Sequence, residues 1–288
     1  MITITAAAGH LGRLVIAELL ERGVPAGELV AAVRSPEKAA DLAERGVQVR
    51  HADYDQPETL EPAFAGTDKL LLIPSAIYGR RFPQIKNAVR AAVAVRVPLV
   101  AYASFVNAAT STLRLADEHR QAEACIRDSG LPFVFLRNGA YIELYCGELG
   151  DLAPALASGR MIGSGGNGKI SGAARPDLAA AAAAVLTGDG PVNKAYELGG
   201  EPFTLADVAA EFAAQSGKPL VYEDLPVEEY AKTLAGWGVP EPFADLLADT
   251  SFAITHGDWY TNSTDLRQLI GRPPTPLADV VTAALKAL

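Results

Sequence analysis

Two glycines near the N-terminus have the spacing of a site that binds a phosphate group. Gly9 and Gly12 follow a short apolar run, Ile2 to Ala6, and open a helical pattern that continues to Glu21. Small residues in such a turn let backbone N–H groups approach an anion, which the positive end of the helix dipole stabilises. A strand, a small-residue turn and a helix in this order are typical of a dinucleotide site, where the pyrophosphate lies over the turn.

The turn departs from the usual glycine pattern. Ala6 stands where one common pattern has its first glycine, so the turn reads Ala6-Ala7-Ala8-Gly9. A methyl group at position 6 penalises a positive φ and crowds the strand against the helix. The sequence therefore predicts a dinucleotide site with weakened binding.

Arg34 lies where such a site distinguishes its two nicotinamide cofactors. A second apolar run, Leu29 to Val33, ends at this arginine, about twenty residues after the glycines. An acidic residue there would hydrogen-bond a ribose 2′-hydroxyl, whereas a guanidinium matches a 2′-phosphate. The sequence therefore predicts NADPH, preferred over NADH. The alternative is an ordinary solvated arginine at a strand end.

The elements around these residues indicate an α/β fold with a Rossmann-like, doubly wound parallel sheet, because β-rich runs alternate with helical patterns up to about residue 138. Strands are expected at 3–6, 29–33, 47–50, 69–73, 99–103 and 133–136, with helices near 12–22, 36–45, 57–65, 82–96 and 117–129. Ligands of such sheets bind beyond the carboxyl ends of the strands. Residues 1–138 are therefore predicted to form an NAD(P)-binding domain.

The pattern changes after residue 138, and residues 139–288 are predicted to form a smaller α/β substrate-binding lobe, some of whose elements return to the sheet. Strands are expected at 195–198 and 220–223, and helices at 176–186, 205–216, 227–236, 241–254, 263–270 and 276–287. The loop Gly163–Gly168 lacks the Lys-Ser/Thr pair and the helix of a phosphate loop, so a mobile substrate-side loop or a plain turn is expected. The substrate is expected in the cleft between the lobes.

Composition argues against several other classes of protein. The formal net charge of −9 leaves no basic excess to bind nucleic acid. Cys125 and Cys146 have no partner at metal-ligand spacing, so no metal is expected, and buried thiols in a cytoplasmic protein are the simplest interpretation. The most apolar segment, Leu178 to Leu186, is far shorter than the ~20 residues of a membrane span.

Taken together, these motifs resemble the NmrA-like branch of the atypical short-chain dehydrogenases/reductases. The matching residues are Gly9–Ile16, Val33-Arg34, His51–Glu58, Leu70–Ile73, Leu115–His119, Leu136–Gly139 and Tyr196–Leu198. The resemblance is greatest to the bacterial quinone reductases and triphenylmethane reductases of this family. It implies a Rossmann fold, an NADPH site and hydride transfer to an electron-poor acceptor such as a quinone.

The same resemblance implies cofactor contacts in three segments and at one arginine. They are Ala6, Ala8, Gly9, His10, Leu11 and Gly12 in the turn, Arg34, then Pro74, Ser75 and Ala76 after the fourth strand, and Asn138, Gly139, Tyr141 and Glu143 after the sixth strand. Asn138 and Tyr141 would border the nicotinamide. The family usually has threonine where this chain has Ala8, and losing one charge-assisted hydrogen bond costs roughly 1.5–3 kcal/mol.

The chain lacks the catalytic Tyr-x-x-x-Lys motif that many members of the wider superfamily carry after the fifth strand. The corresponding stretch runs from His119 to Glu123, two residues that share a helix face. This argues against a simple alcohol dehydrogenase, because a ketone needs a proton donor. A hydroquinone anion is less demanding and can be protonated by solvent or by His119. The alternative is that His119 is a surface or supporting residue.

Further candidate residues have two interpretations each. Asp53 and Tyr54 follow the third strand, where they would contact an adenine edge or merely cap the loop. Tyr78, Phe105 and Tyr145, together with Tyr141, would line an aromatic substrate pocket or belong to the core.

Two other functions stay open: a non-catalytic NADP-binding regulator, and an isomerase, lyase or cyclase that reuses the fold. A homodimer is also left open.

Overall fold

A computed structural model describes residues 1–148 and 152–288. Seven parallel strands form the main sheet in the order β3-β2-β1-β4-β5-β6-β8, and β7 pairs with β9 in a small parallel sheet. The strands are β1 (Ile2–Thr5), β2 (Leu29–Val33), β3 (Gln48–His51), β4 (Lys69–Leu72), β5 (Leu99–Phe105), β6 (Phe133–Asn138), β7 (Arg160–Gly163), β8 (Lys194–Leu198) and β9 (Val221–Asp224). The predicted Rossmann-like fold is confirmed.

Helices cover both faces of the main sheet and continue into the C-terminal part. They are α1 (His10–Glu21), α2 (Ala40–Glu44), α3 (Leu60–Phe64), α4 (Arg81–Ala94), α5 (Arg114–Asp128), α6 (Leu152–Ser158), α7 (Arg175–Thr187), α8 (Leu205–Ser216), α9 (Val227–Gly236), α10 (Glu241–Phe252), α11 (Asp265–Ile270) and α12 (Leu277–Lys286). Helices α1 and α7 pack together on one face, and α3, α4 and α5 cover the other. No helix among the described residues is long and apolar enough to cross a membrane.

Alternation along the strands explains this layering. On β4, Leu71 joins the core beneath α1 and α7, whereas Leu70 and Leu72 join the core beneath α4. All three side chains are fully buried, as expected for a central parallel strand. A third core connects the ends of β5 and β6 to α8 and α12.

The sheet order places a ligand crevice between β1 and β4. The chain moves outward from β1 through β2 to β3, then returns to the other side of β1 to start β4. Connections leave these two strands in opposite directions, which opens a crevice at their carboxyl ends. Strand β8 pairs with β6, so part of the C-terminal half returns to the sheet. The domain division at residue 138 stays a prediction.

Candidate functional site

The turn after β1 carries backbone strain at one residue. Ala6 has φ +48°, in the left-handed region that glycine adopts without cost. Its carbonyl oxygen accepts a hydrogen bond of 2.9 Å from the Gly9 amide, which closes the turn. The unusual alanine is therefore accommodated in the conformation that the usual glycine would favour.

Gly12 allows the helix to lie directly against this turn. A Cβ atom at Gly12 would lie 2.7 Å from Ala7 Cα and 2.8 Å from the Ala6 carbonyl oxygen. Helix α1 begins at His10, two residues earlier than predicted, so His10 and Leu11 belong to its first turn. That turn holds no acidic side chain, and the first N–H groups of a helix point out of its N-terminus, where an anion can bind. The turn and the helix start therefore fit a pyrophosphate.

Arg34 directly follows β2, where it is exposed. Its charge helps to lower the pKa of Asp55, although Arg80, which hydrogen-bonds that carboxylate, contributes most.

Arg13 lies on the other side of the turn: its guanidinium donates to the Ala8 carbonyl oxygen at 3.1 Å and pairs with Asp41. This arginine, which sequence reasoning missed, connects the phosphate turn to the segment after β2.

The structure favours the loop-capping interpretation for the two candidates after β3. Asp53 Oδ1 accepts from the Asp55 amide at 2.9 Å, within the loop itself. The Tyr54 hydroxyl donates toward Thr5 Oγ1 at 2.6 Å and the Ile73 carbonyl oxygen at 2.9 Å. These contacts tie the loop to β1 and to the end of β4.

The segment after β4 is held by an arginine that sequence analysis did not select. Arg81 Nε donates to the Ser75 carbonyl oxygen at 2.8 Å, and its Nη1 lies 3.6 Å from Glu118 Oε2. The same Oε2 accepts from the Gly79 amide at 3.1 Å. The Ser75 hydroxyl donates to Gln84 at 2.6 Å. Arg81 is only 13% exposed, so a nearly buried cation lies beside the carboxyl end of β4.

Within this segment, Pro74 is half-buried and Ala76 is exposed. The Ala76 carbonyl oxygen lies within hydrogen-bond distance of Arg81 Nη2, at 3.4 Å. Tyr78 is 44% exposed, so its ring is accessible to a ligand. This loop therefore presents both backbone and an aromatic side chain at the ligand end of the sheet.

The end of β6 brings together the candidates at and after residue 138. Asn138 is buried and hydrogen-bonds the Tyr141 side chain, while its Oδ1 has no partner among the described residues. The Arg175 guanidinium lies 4.6 Å from the centre of the Tyr141 ring. Burial raises the pKa of Tyr141, and Arg175, Asn138 and Arg81 oppose that shift. Because buried acceptors are normally paired, the Asn138 oxygen fits a ligand N–H.

Gly139 and Glu143 have structural roles beside this pair. A Cβ at Gly139 would lie 2.3 Å from the Ser171 carbonyl oxygen, so only glycine fits there. Glu143 Oε1 accepts from the Arg175 amide at 2.8 Å and thus holds the start of α7. Its Oε2 is buried without a hydrogen-bond partner in the described chain.

His119 lies inside the protein. Its Nδ1 is 2.9 Å from the Tyr102 hydroxyl, and its ring stacks on Phe105 with a centroid distance of 6.0 Å. Burial, helped by the charge of Arg81, lowers the pKa of His119 to about 3. The imidazole is therefore neutral at physiological pH rather than an imidazolium acid. Glu123, one turn later, bonds Ser104 instead of His119.

Two aromatic candidates lie in or against the third core, near the ends of β5 and β6. Phe105 is 5% exposed and meets the Trp259 ring edge-on at 4.7 Å. Tyr145 packs edge-on against Phe203 at 6.0 Å. Both positions favour the core interpretation over direct contact with a substrate.

The amides of the glycine-rich loop are engaged by neighbouring side chains. The Gly165 amide donates to the Tyr222 hydroxyl at 3.0 Å, and the Gly166 amide to Asp224 Oδ1 at 2.7 Å. Both partners lie on β9. An acidic side chain at this loop opposes a phosphate, so the structure argues against a phosphate loop here.

Comparisons with known proteins show the family of this chain. The model of a protein family described as NAD(P)H-binding matches residues 6–189. Quinone oxidoreductase 2 of Escherichia coli is 45% identical over 283 residues, covering 98% of each chain. A solved structure of the E. coli NADPH-dependent quinone oxidoreductase QOR2 with NADPH superposes with a TM-score of 0.95 and 44% identity, covering 99% of this chain and 100% of that one. The Citrobacter sp. triphenylmethane reductase with NADP(H) is 40% identical, with a TM-score of 0.93 and coverage of 99% and 100%.

Proposed function

Because the chain belongs to the NAD(P)H-binding family that includes E. coli quinone oxidoreductase 2, we propose that it is an NADPH-dependent reductase of quinones or related electron-poor aromatic compounds. The observation that carries the proposal is the glycine turn at the switch point between β1 and β4, where Gly12 lets α1 approach the backbone of Ala7. The strained Ala6 leaves this geometry intact. A preference for NADPH over NADH rests on Arg34, which suits a 2′-phosphate.

The residues present fit the cofactor in three places. The first turn of α1 would hold the pyrophosphate, Arg34 the 2′-phosphate, and the unpartnered Asn138 oxygen a nicotinamide N–H. When bound, NADPH supplies a hydride, and a quinone that gains it becomes a hydroquinone anion that needs one proton. Tyr141, fixed between Asn138 and Arg175, would form a wall of this site.

We infer that Arg81, although paired with Glu118 at 3.6 Å, adds positive charge on the acceptor side of the site. Its guanidinium is nearly buried and lowers the pKa of His119 in addition to the effect of burial. A charge in such a low-dielectric environment acts over several ångströms. The delocalised hydroquinone anion is stabilised by this field and takes its proton from water, without a Tyr-Lys pair.

Steady-state oxidation of NADPH with a panel of quinones tests the proposal, with hydroquinone measured as product. Turnover with hydroquinone formed one-to-one supports it, whereas tight NADPH binding without turnover would indicate the NADP-binding regulator. Substrate conversion independent of NADPH would indicate the isomerase, lyase or cyclase. The homodimer and the cytoplasmic location stay predictions.

A further inference from the structure

The hydrogen bond between Tyr102 and His119 defines which imidazole nitrogen carries the hydrogen. Tyr102 is fully buried on β5, and its hydroxyl is 2.9 Å from His119 Nδ1. Burial raises the pKa of Tyr102 well above its ordinary value, so the phenol keeps its proton. A buried O–H without an acceptor is costly, and Nδ1 is the acceptor that the described chain offers. The phenol therefore donates to Nδ1, and the ring hydrogen is on Nε2.

The surroundings of the ring keep it neutral. Phe105 of β5 stacks on one side, and Arg81 of α4 acts on it as a positive charge. The carboxylate of the neighbouring Glu118 contacts Arg81 and accepts from the Gly79 amide. A second proton would have to enter at Nδ1 and displace the Tyr102 hydrogen bond. Geometry and charge thus favour one neutral tautomer.

Nε2 carries the ring hydrogen of a histidine that is 6% exposed. The buried side-chain nitrogens and oxygens that lack a hydrogen-bond partner in the described residues are on Arg81, Asn138, Glu143, Ser164 and Asp177, and Nε2 is not one of them. No described group hydrogen-bonds it. The ring stacks on Phe105, the last residue of β5, and Arg81 at the start of α4 acts on it, so the neutral N–H donor lies at the carboxyl end of the sheet.

We propose that Tyr102 is a positioning residue, which holds His119 as a neutral donor whose Nε2–H hydrogen-bonds the acceptor oxygen that becomes negative during reduction. The inference rests on the proposed reductase function. The N–H bond is not broken: the quinone gains a hydride from NADPH and a proton from water, while His119 and Tyr102 keep their hydrogens. Fixed N–H donors aimed at a developing oxyanion typically contribute about 10²–10³ in rate.

Nitrogen NMR of the full-length protein with ¹⁵N-labelled histidine tests the tautomer without any turnover. We expect the His119 signals, assigned by their loss in His119→Asn, to show protonated Nε2 and bare Nδ1 from about pH 5 to pH 8. The exposed His10, His51 and His256 give reference signals in the same spectrum. Tyr102→Phe should mix the two tautomers. A protonated Nδ1 in the wild type, or no change in Tyr102→Phe, would overturn the inference.

A matched pair of variants tests the donor in the reaction. Glutamine at position 119 can place an N–H near the position of Nε2, whereas asparagine is too short. We expect kcat within about tenfold of the wild type for His119→Gln and a loss of about 10² for His119→Asn, with a smaller change in KM. Equal kcat values for both variants would refute the donor role. An inactive wild type would instead refute the proposed function and leave the NMR result to decide the tautomer.

Discussion

Arg137 on β6 donates to both carboxylate oxygens of Glu123 on α5, at 2.9 and 2.7 Å. The same arginine hydrogen-bonds Glu197 of β8 at 2.9 Å. The two glutamates raise the pKa of Arg137, and the hydrogen bonds to Glu123 are the largest cause. By the resemblance to the wider superfamily, Glu123 is expected at the position of the catalytic lysine. In this chain the position therefore serves to connect α5 to the sheet rather than to activate a proton donor.

Replacing Arg137 by methionine should destabilise the fold by about 3–5 kcal/mol, because two carboxylates would lose their shared cation in a largely buried site. Urea denaturation measures the free energy of unfolding. Glu223→Gln, which breaks the exposed pair with Arg160, is the control and should cost less than about 1 kcal/mol. A loss below about 1 kcal/mol in the Arg137 variant, no larger than in the control, would show that the buried network adds no stability.

Ala6→Gly should stabilise the protein by about 1 kcal/mol, because glycine removes the cost of the left-handed conformation. Ala7→Gly is the matched control: this neighbour is fully buried and outside the left-handed region, so it should lose about 1 kcal/mol. Thermal unfolding of both variants gives the comparison. A destabilised Ala6→Gly would contradict the strain at this turn.

Arg34→Gln should weaken NADPH binding roughly ten- to a hundredfold, the equivalent of one lost charge-assisted contact of about 1.5–3 kcal/mol. NADH, which has no 2′-phosphate, should bind almost as before. Arg45→Gln, an exposed arginine at the far end of α2, controls for the loss of charge. Nicotinamide fluorescence titrations of the wild type and both variants measure the six affinities. An equal loss for both cofactors would disprove the selectivity role.

His119 makes stability depend on pH. Its folded pKa is about 3, below the value of about 6.5 for a histidine in an unfolded chain. Between these values the unfolded state binds the extra proton, so stability is complete above about pH 6.5 and decreases as pH falls toward 3. The melting temperature of His119→Gln should therefore decrease less over this range than that of the wild type. His51→Gln, at an exposed site, should follow the wild type.

Elements with a local sequence pattern could be predicted, whereas elements that depend on long-range contacts could not. The strands of the main sheet lie within about two residues of expectation, because buried parallel strands appear as apolar runs. Strand β7 was missed, since Arg160–Gly163 has only two apolar side chains and pairs with β9 some sixty residues later. The helices expected at 36 and 57 begin as 3-10 turns at Pro36 and Pro57.

The candidate site shows the same limit. Glycine spacing predicted the turn between β1 and α1, because that signal is local. Tyr102 looked like an ordinary core residue of a strand, and its bond to His119 depends on how α5 packs on β5. Arg81 begins a helix and carries no motif, so its near burial beside Glu118 was not predictable. The sequence patterns thus predicted the turn, but not the contacts of Tyr102 with His119 and of Arg81 with Glu118.

A single-turnover experiment tests the central claim most directly. Equal amounts of enzyme-bound NADPH and a quinone are mixed without oxygen, and nicotinamide absorbance and hydroquinone are followed together. We predict that NADPH is consumed and hydroquinone formed in equal amounts, and that NADPH deuterated at the transferred position reacts more slowly. Bound NADPH that persists with every quinone tried would contradict the reductase function.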